Sequence, residues 1–157
     1  MKAAHAWLIG NALLCLSVVT YAVQNTERAA AAQAGKPYTM HRLYTGSDGQ
    51  THVEEIEVKF GPGGTNPFKL MAGAGAEIRR APPGRVADWH TAPRRQYVIT
   101  LSGHGEVELI DGTKIALGPG SIDLAEDLTG KGHITKTVGS EDRVTLWLPL
   151  ADQNATN

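Results

Sequence analysis

Glycine and proline are spread unevenly along this chain, and their placement limits the folds open to it. Only Gly10 precedes Gly35; the other 17 of the 18 Gly and all 8 Pro lie from Gly35 onward. Interior Gly and Pro cost about 1 and 3 kcal/mol in a helix, which excludes a helical bundle or coiled coil beyond that point. An apolar content of 41% is too high for a chain that stays unfolded. One modest core made of short strands and tight turns is the remaining solution.

The segment ahead of Gly35 is different in kind. Lys2 supplies an early positive charge, and an apolar run from Ala6 to Val23 follows, broken by Asn11, Ser17, Thr20 and Tyr21. A basic start, an apolar middle and small residues beyond it predict a secretory signal. Cleavage after Ala22 or after Ala34 satisfies the small-residue rule. The first lies nearer the apolar run, so residues 1–22 are read as the signal and 23–37 as a flexible lead-in. An uncleaved membrane anchor is the alternative, since about 20 apolar residues span a bilayer; only then is the membrane a partner. Either way the body is expected to be exported, periplasmic or secreted. The lone cysteine, Cys15, lies inside this leader. The body therefore has no disulfide, no thiolate nucleophile and no Cys-ligated zinc.

Fifteen Lys plus Arg against sixteen Asp plus Glu leave a formal net charge of −1. The pairs Arg79-Arg80 and Arg94-Arg95 are too short for a nucleic-acid footprint, so nucleic acid is not an expected partner.

Within the body, turn residues recur at short intervals. Tyr38 to Thr45 reads as a strand and Gly46 to Gly49 as a turn. Between Thr51 and Phe60, Ile56, Val58 and Phe60 alternate with charged residues, as in a half-buried strand. Further strands are predicted at Ala76–Ala81, Gln96–Ser102, Glu106–Ile110, Thr113–Leu117, Ser121–Ala125, His133–Val138 and Arg143–Leu148. Asp111-Gly112 reads as a two-residue hairpin turn. Strands at this spacing, with no helical period between them, predict an all-β barrel or sandwich over residues 38–150, with 151–157 as a flexible end.

The stretch from Gly84 to Gly103 resembles the first motif of the cupin superfamily, G-x5-H-x-H-x3-E-x6-G. His90 stands at the first His, while Ala92 replaces the second and Gln96 replaces the Glu. A looser second motif opens at Gly120, with Glu126 in place of Pro, His133 two residues late and Thr137 in place of Asn. The chain is also similar to small proteobacterial-type cupins of unassigned activity. The shared blocks are Trp89 to Gln96, Ala125 to His133 and Tyr44 to His52, so Ala92 and Gln96 follow that group's pattern.

The resemblance implies a jelly-roll β-barrel with His90 and His133 converging in its cavity. Two imidazoles can grip a divalent metal, with Gln96 adding a neutral oxygen and His52, Asp123 or Glu126 as candidates for a third ligand. The competing reading makes both His metal-free cavity residues that touch a small molecule or Gln96. His52 and Arg95 are further pocket candidates, since a guanidinium can hold an anionic substrate; Arg94 and Arg95 could equally pair with Asp88. His104 is read as a solvated turn residue and His41 as a half-exposed strand residue. Trp89 should face away from His90 into the core. Glu126 and Asp127, adjacent on an extended segment, make a poor acid/base pair, and one of them is expected to cap loop amides. No nucleophile elbow, P-loop or dinucleotide fingerprint is present. Three functions therefore compete: a cavity binding a small molecule around a weakly held divalent metal, a metal-free binding or sensing module, and a structural homodimer.

Overall fold

The computed structural model describes residues 37–61 and 67–154. The leader, both cleavage sites, most of the lead-in and the last three residues lie outside the described residues. In chain order the strands are β1 (Thr39–Thr45), β2 (Thr51–Glu57), β3 (Glu77–Ala81), β4 (Val86–His90) and β5 (Gln96–Ser102). They continue as β6 (His104–Glu108), β7 (Lys114–Leu117), β8 (Ile122–Glu126), β9 (His133–Val138) and β10 (Arg143–Pro149).

The last eight strands pair as one long hairpin rolled up on itself. β3 pairs with β10, β4 with β9, β5 with β8, and β6 with β7, all antiparallel. This nested pairing is the jelly-roll pattern, and it produces two facing sheets. One has the order β2-β1-β8-β5-β10-β3, the other β4-β9-β6-β7. β1 adds to the large sheet parallel to β8, and β2 continues it antiparallel.

The β6–β7 hairpin shows how local chemistry sets the turns. Gly112 has φ of +84°, while no non-Gly residue among the described residues has positive φ. Gly112 N donates to Leu109 O (3.0 Å) and Leu109 N to Thr113 O (2.9 Å), so the loop has three residues, Ile110 to Gly112. The expected two-residue turn would need positive φ at Asp111 as well. Instead Asp111 Oδ1 accepts from Thr113 N at 2.8 Å, and only the glycine is left-handed.

Two apolar clusters carry the fold. Leu43, Val107, Leu109, Ile115 and Leu117 fill part of the barrel interior. Met40, Tyr97, Leu124, Val58 and Leu150 form the second, with Phe68 and Leu70 packed against them. Tyr97 and Leu124 alternate with the inward residues Gln96, Val98, Asp123 and Ala125, so this second core covers the outer face of the large sheet. Each fully buried side chain of this kind contributes about 1.5–3 kcal/mol. The β1, β8 and β5 part of the large sheet is thus buried on both faces, whereas β3 at its edge and the outside of the small sheet meet solvent. Trp89, expected in a core, is on that solvent side and 43% exposed.

Candidate functional site

Period-two alternation turns one face of each strand into the barrel. His133, Thr135 and Thr137 on β9 point inward, as do Arg143, Thr145 and Trp147 on β10 and Gln96 and Val98 on β5. They line a cavity of about 430 Å³. β4 breaks the alternation. Its register to β9 shifts between Ala87 and His90, so both of those residues reach the cavity although an odd number of steps separates them.

His90 pairs with His133 across the two strands, and their rings stand 4.5 Å apart, tilted by 55°. This close approach depends on Gly132. Its φ is +72°, and a Cβ there would lie 2.2 Å from His90 O. Each imidazole is fixed through Nδ1. His90 Nδ1 donates to Asp88 O at 2.7 Å, and His133 Nδ1 donates to Asp127 Oδ2 at 2.6 Å. In this tautomer both Nε2 atoms are left as acceptors. Asp127 is fully buried; its Oδ2 also accepts from Thr51 Oγ1 at 3.0 Å, while Oδ1 has no partner among the described residues.

The two motif segments, separate in the chain, thus meet side by side at the cavity wall. The fold is a jelly-roll barrel.

Several solved structures, cupin domains among them, are similar to this barrel at low identity. The cupin domain of Schizosaccharomyces pombe Cnp3 is 15% identical with a TM-score of 0.43, covering 74% of this chain and 90% of that one. A putative ethanolamine utilization protein from Salmonella typhimurium is 11% identical with a TM-score of 0.40, covering 76% and 100%. A cupin domain from Bordetella pertussis is 18% identical with a TM-score of 0.38, covering 54% and 99%. No family model matches the sequence, and no curated protein does.

The sequence-predicted residues separate into two groups. His90, His133 and Gln96 share the cavity wall. His52 does not: it stands on β2 with Nε2 3.0 Å from Asp48 Oδ1. Arg95 is absent from the wall too. Its buried guanidinium meets Glu126, with Nε donating to Glu126 Oε1 at 2.8 Å, and Nη1 donates to the carbonyl of Asp152 at 3.0 Å. Glu126 also receives Arg42 Nε, so it is a counter-charge for two arginines and not a free ligand. Arg94 pairs with Glu77 rather than Asp88, and its Nε donates to Gln96 Oε1 at 3.2 Å. Neither Glu126 nor Asp127 serves as the expected side-chain cap of loop amides; one holds arginines, the other a histidine. Gln153 also clasps Arg95: Arg95 N donates to Gln153 Oε1 at 2.9 Å, and Gln153 Nε2 donates to Arg95 O at 3.1 Å.

His41 does more than expected of a half-exposed strand residue. Its Nδ1 lies 3.0 Å from Asp123 Oδ1, and that hydrogen bond raises its pKa above the ordinary 6.5 against the opposing effect of burial. His104 opens β6 instead of sitting in the turn, and it is exposed as expected. Arg143 was not legible as a site residue. It lies on the cavity wall, almost wholly buried, with burial pushing its pKa below the ordinary arginine range.

Proposed function

We propose that this is an exported cupin-type protein whose barrel cavity binds a small molecule. The observation that carries this reading is the cavity itself: about 430 Å³, within the usual range for small-molecule sites, with apolar side chains such as Val98, Val107 and Leu117 sharing the lining with polar and charged ones. His90 and His133 offer two Nε2 acceptors from fixed rings, and Thr135, Thr137 and Thr145 offer hydroxyls on the facing walls. Such an arrangement orients a polar ligand; it contains no activated nucleophile among the described residues.

A divalent metal between the two imidazoles is the second reading, favoured by the 4.5 Å ring separation and by the free Nε2 atoms. The donor set does not complete such a site. No third His, Cys, Asp or Glu joins the pair among the described residues, and the Gln96 oxygen is already taken by Arg94. Catalytic zinc sites commonly use three protein ligands.

A nuclear magnetic resonance titration of the labelled protein with a fragment library tests the reading. Binding fragments should move the amides of His133, Thr135, Thr137 and Thr145 together. A library in which no fragment moves that set overturns cavity binding. Elemental analysis after equilibration with zinc or manganese decides the second reading: one tightly held ion per chain establishes it, and none ends it.

A further inference from the structure

Charged groups on the cavity wall are balanced or solvated, with one exception. Arg79 pairs with Glu77, Arg80 with Asp142, and Asp123 with His41, while Arg85 is exposed. Arg143 is 6% exposed, and no carboxylate pairs with it among the described residues. Its guanidinium donates only to the neutral Thr100 hydroxyl, from Nη2 at 2.8 Å and Nε at 3.3 Å. An arginine carries five N–H donors and keeps its charge in proteins. The remaining donors therefore belong to a buried cation that lines an open space with no carboxylate in contact; the charge of Asp123, itself bonded to His41, acts on it only across the cavity.

The surroundings are built for this side chain. β6 carries Gly105 opposite Thr137, and a Cβ on Gly105 would come within 2.9–3.0 Å of Arg143 Cδ, Nε and Cζ. Gly105 does not have positive φ, so what glycine supplies there is room for the guanidinium. Thr137 is tied to the β3–β4 turn, donating from N to Arg85 O at 2.9 Å, and Arg143 is in register with Ala81 beside Arg80. Arg80, Arg85 and Arg143 thus gather at the Thr137 end of the barrel. His133 lies at the other end of β9, four residues or about 13 Å of strand away. Between the ends the wall includes Val98, Val107 and Leu117.

We propose that Arg143 anchors the carboxylate of a small organic acid with an apolar body, seated in the barrel. The inference rests on the cavity-binding reading and names its ligand class. One unpaired buried cation matches one negative charge, and the planar guanidinium fork matches a carboxylate. Arg85, exposed at the same end, adds positive charge beside it. The apolar wall selects the rest of the ligand.

The test compares 3-phenylpropanoate with the uncharged 3-phenylpropanamide by calorimetry and by the same amide resonances. The acid is expected to bind about 10- to 100-fold more tightly than the amide, the range for a charge-assisted hydrogen bond. Arg143→Met should abolish that preference. Gly105→Ala keeps the charge but displaces the guanidinium, and should weaken the preference in a chain whose circular dichroism is unchanged. Equal binding of acid and amide overturns the inference and leaves cavity binding standing. An acid preference that survives both substitutions overturns the role of Arg143. Absence of binding by both probes also overturns the inference; the fragment titration then reports separately whether the cavity binds anything.

Discussion

His133 Nδ1 and Asp127 Oδ2 are 2.6 Å apart in a place water does not reach, Asp127 being fully buried. The carboxylate holds the imidazole in one tautomer and one orientation, as the partners of metal-binding or catalytic histidines do. Asp127→Asn keeps the shape and removes the charge. It should destabilise the fold by about 1–3 kcal/mol in chemical denaturation. The nitrogen resonances of His133 should show loss of the single tautomer.

Glu126 stands between Arg95 and Arg42, and the Arg95–Glu126 pair is buried on both sides. Glu126→Gln leaves Arg95 in the interior without its counter-charge, a change worth about 3–5 kcal/mol in comparable pairs. Stability by urea titration should fall accordingly. Because Arg95 also holds the carbonyls of Asp152 and Asn154, limited proteolysis should cut the end of the chain faster in the variant.

Gly132 sits where any side chain would meet the backbone of His90. Gly132→Ala is expected to cost at least about 1–3 kcal/mol from the left-handed backbone alone. The added Cβ should also separate β9 from β4 at the histidine pair. Thermal denaturation reads the first effect, and cross-relaxation between the two imidazoles the second.

The His41–Asp123 pair makes stability depend on pH in a stated direction. Hydrogen bonding to Asp123, with help from the charges of Asp123 and Glu55, holds the folded-state pKa of His41 above its ordinary 6.5. The stabilisation is complete below the unfolded value and is lost as pH rises through the folded one. Melting temperatures measured from pH 5 to 9 should therefore fall more steeply above about pH 6.5 for the native chain than for His41→Gln. Parallel curves would remove this pair from the account.

Much of the barrel was readable in one dimension because its turns are chemical. Gln96–Ser102 and His133–Val138 begin and end where the turn residues place them. The errors are local: β6 starts at His104, two residues early, and the Asp111-Gly112 turn takes a three-residue form. β4 was visible only as a motif, since a bulge there conceals the alternation.

The site was readable only where motif spacing marked it. His90, His133 and Gln96, all in the motif segments, lie on the wall. Arg143 left no comparable signal. It is an ordinary arginine at the head of an apolar strand, and the alternation Arg143, Thr145, Trp147 defines a face without saying whether that face is inside. Arg94 and Arg95 are neighbours in the chain, yet one meets a half-exposed carboxylate and the other a buried one.

Glycine placement by itself thus determined the class of fold, because positive φ and tight turns are properties of single residues and their neighbours. Which charges are buried, and which of them have no ion-pair contact, follows from the folded arrangement alone. Burial and ion pairing depend on strands far apart in the chain: Arg95 meets Glu126, Thr100 meets Arg143, and Gly105 makes the space for a guanidinium 38 positions further on.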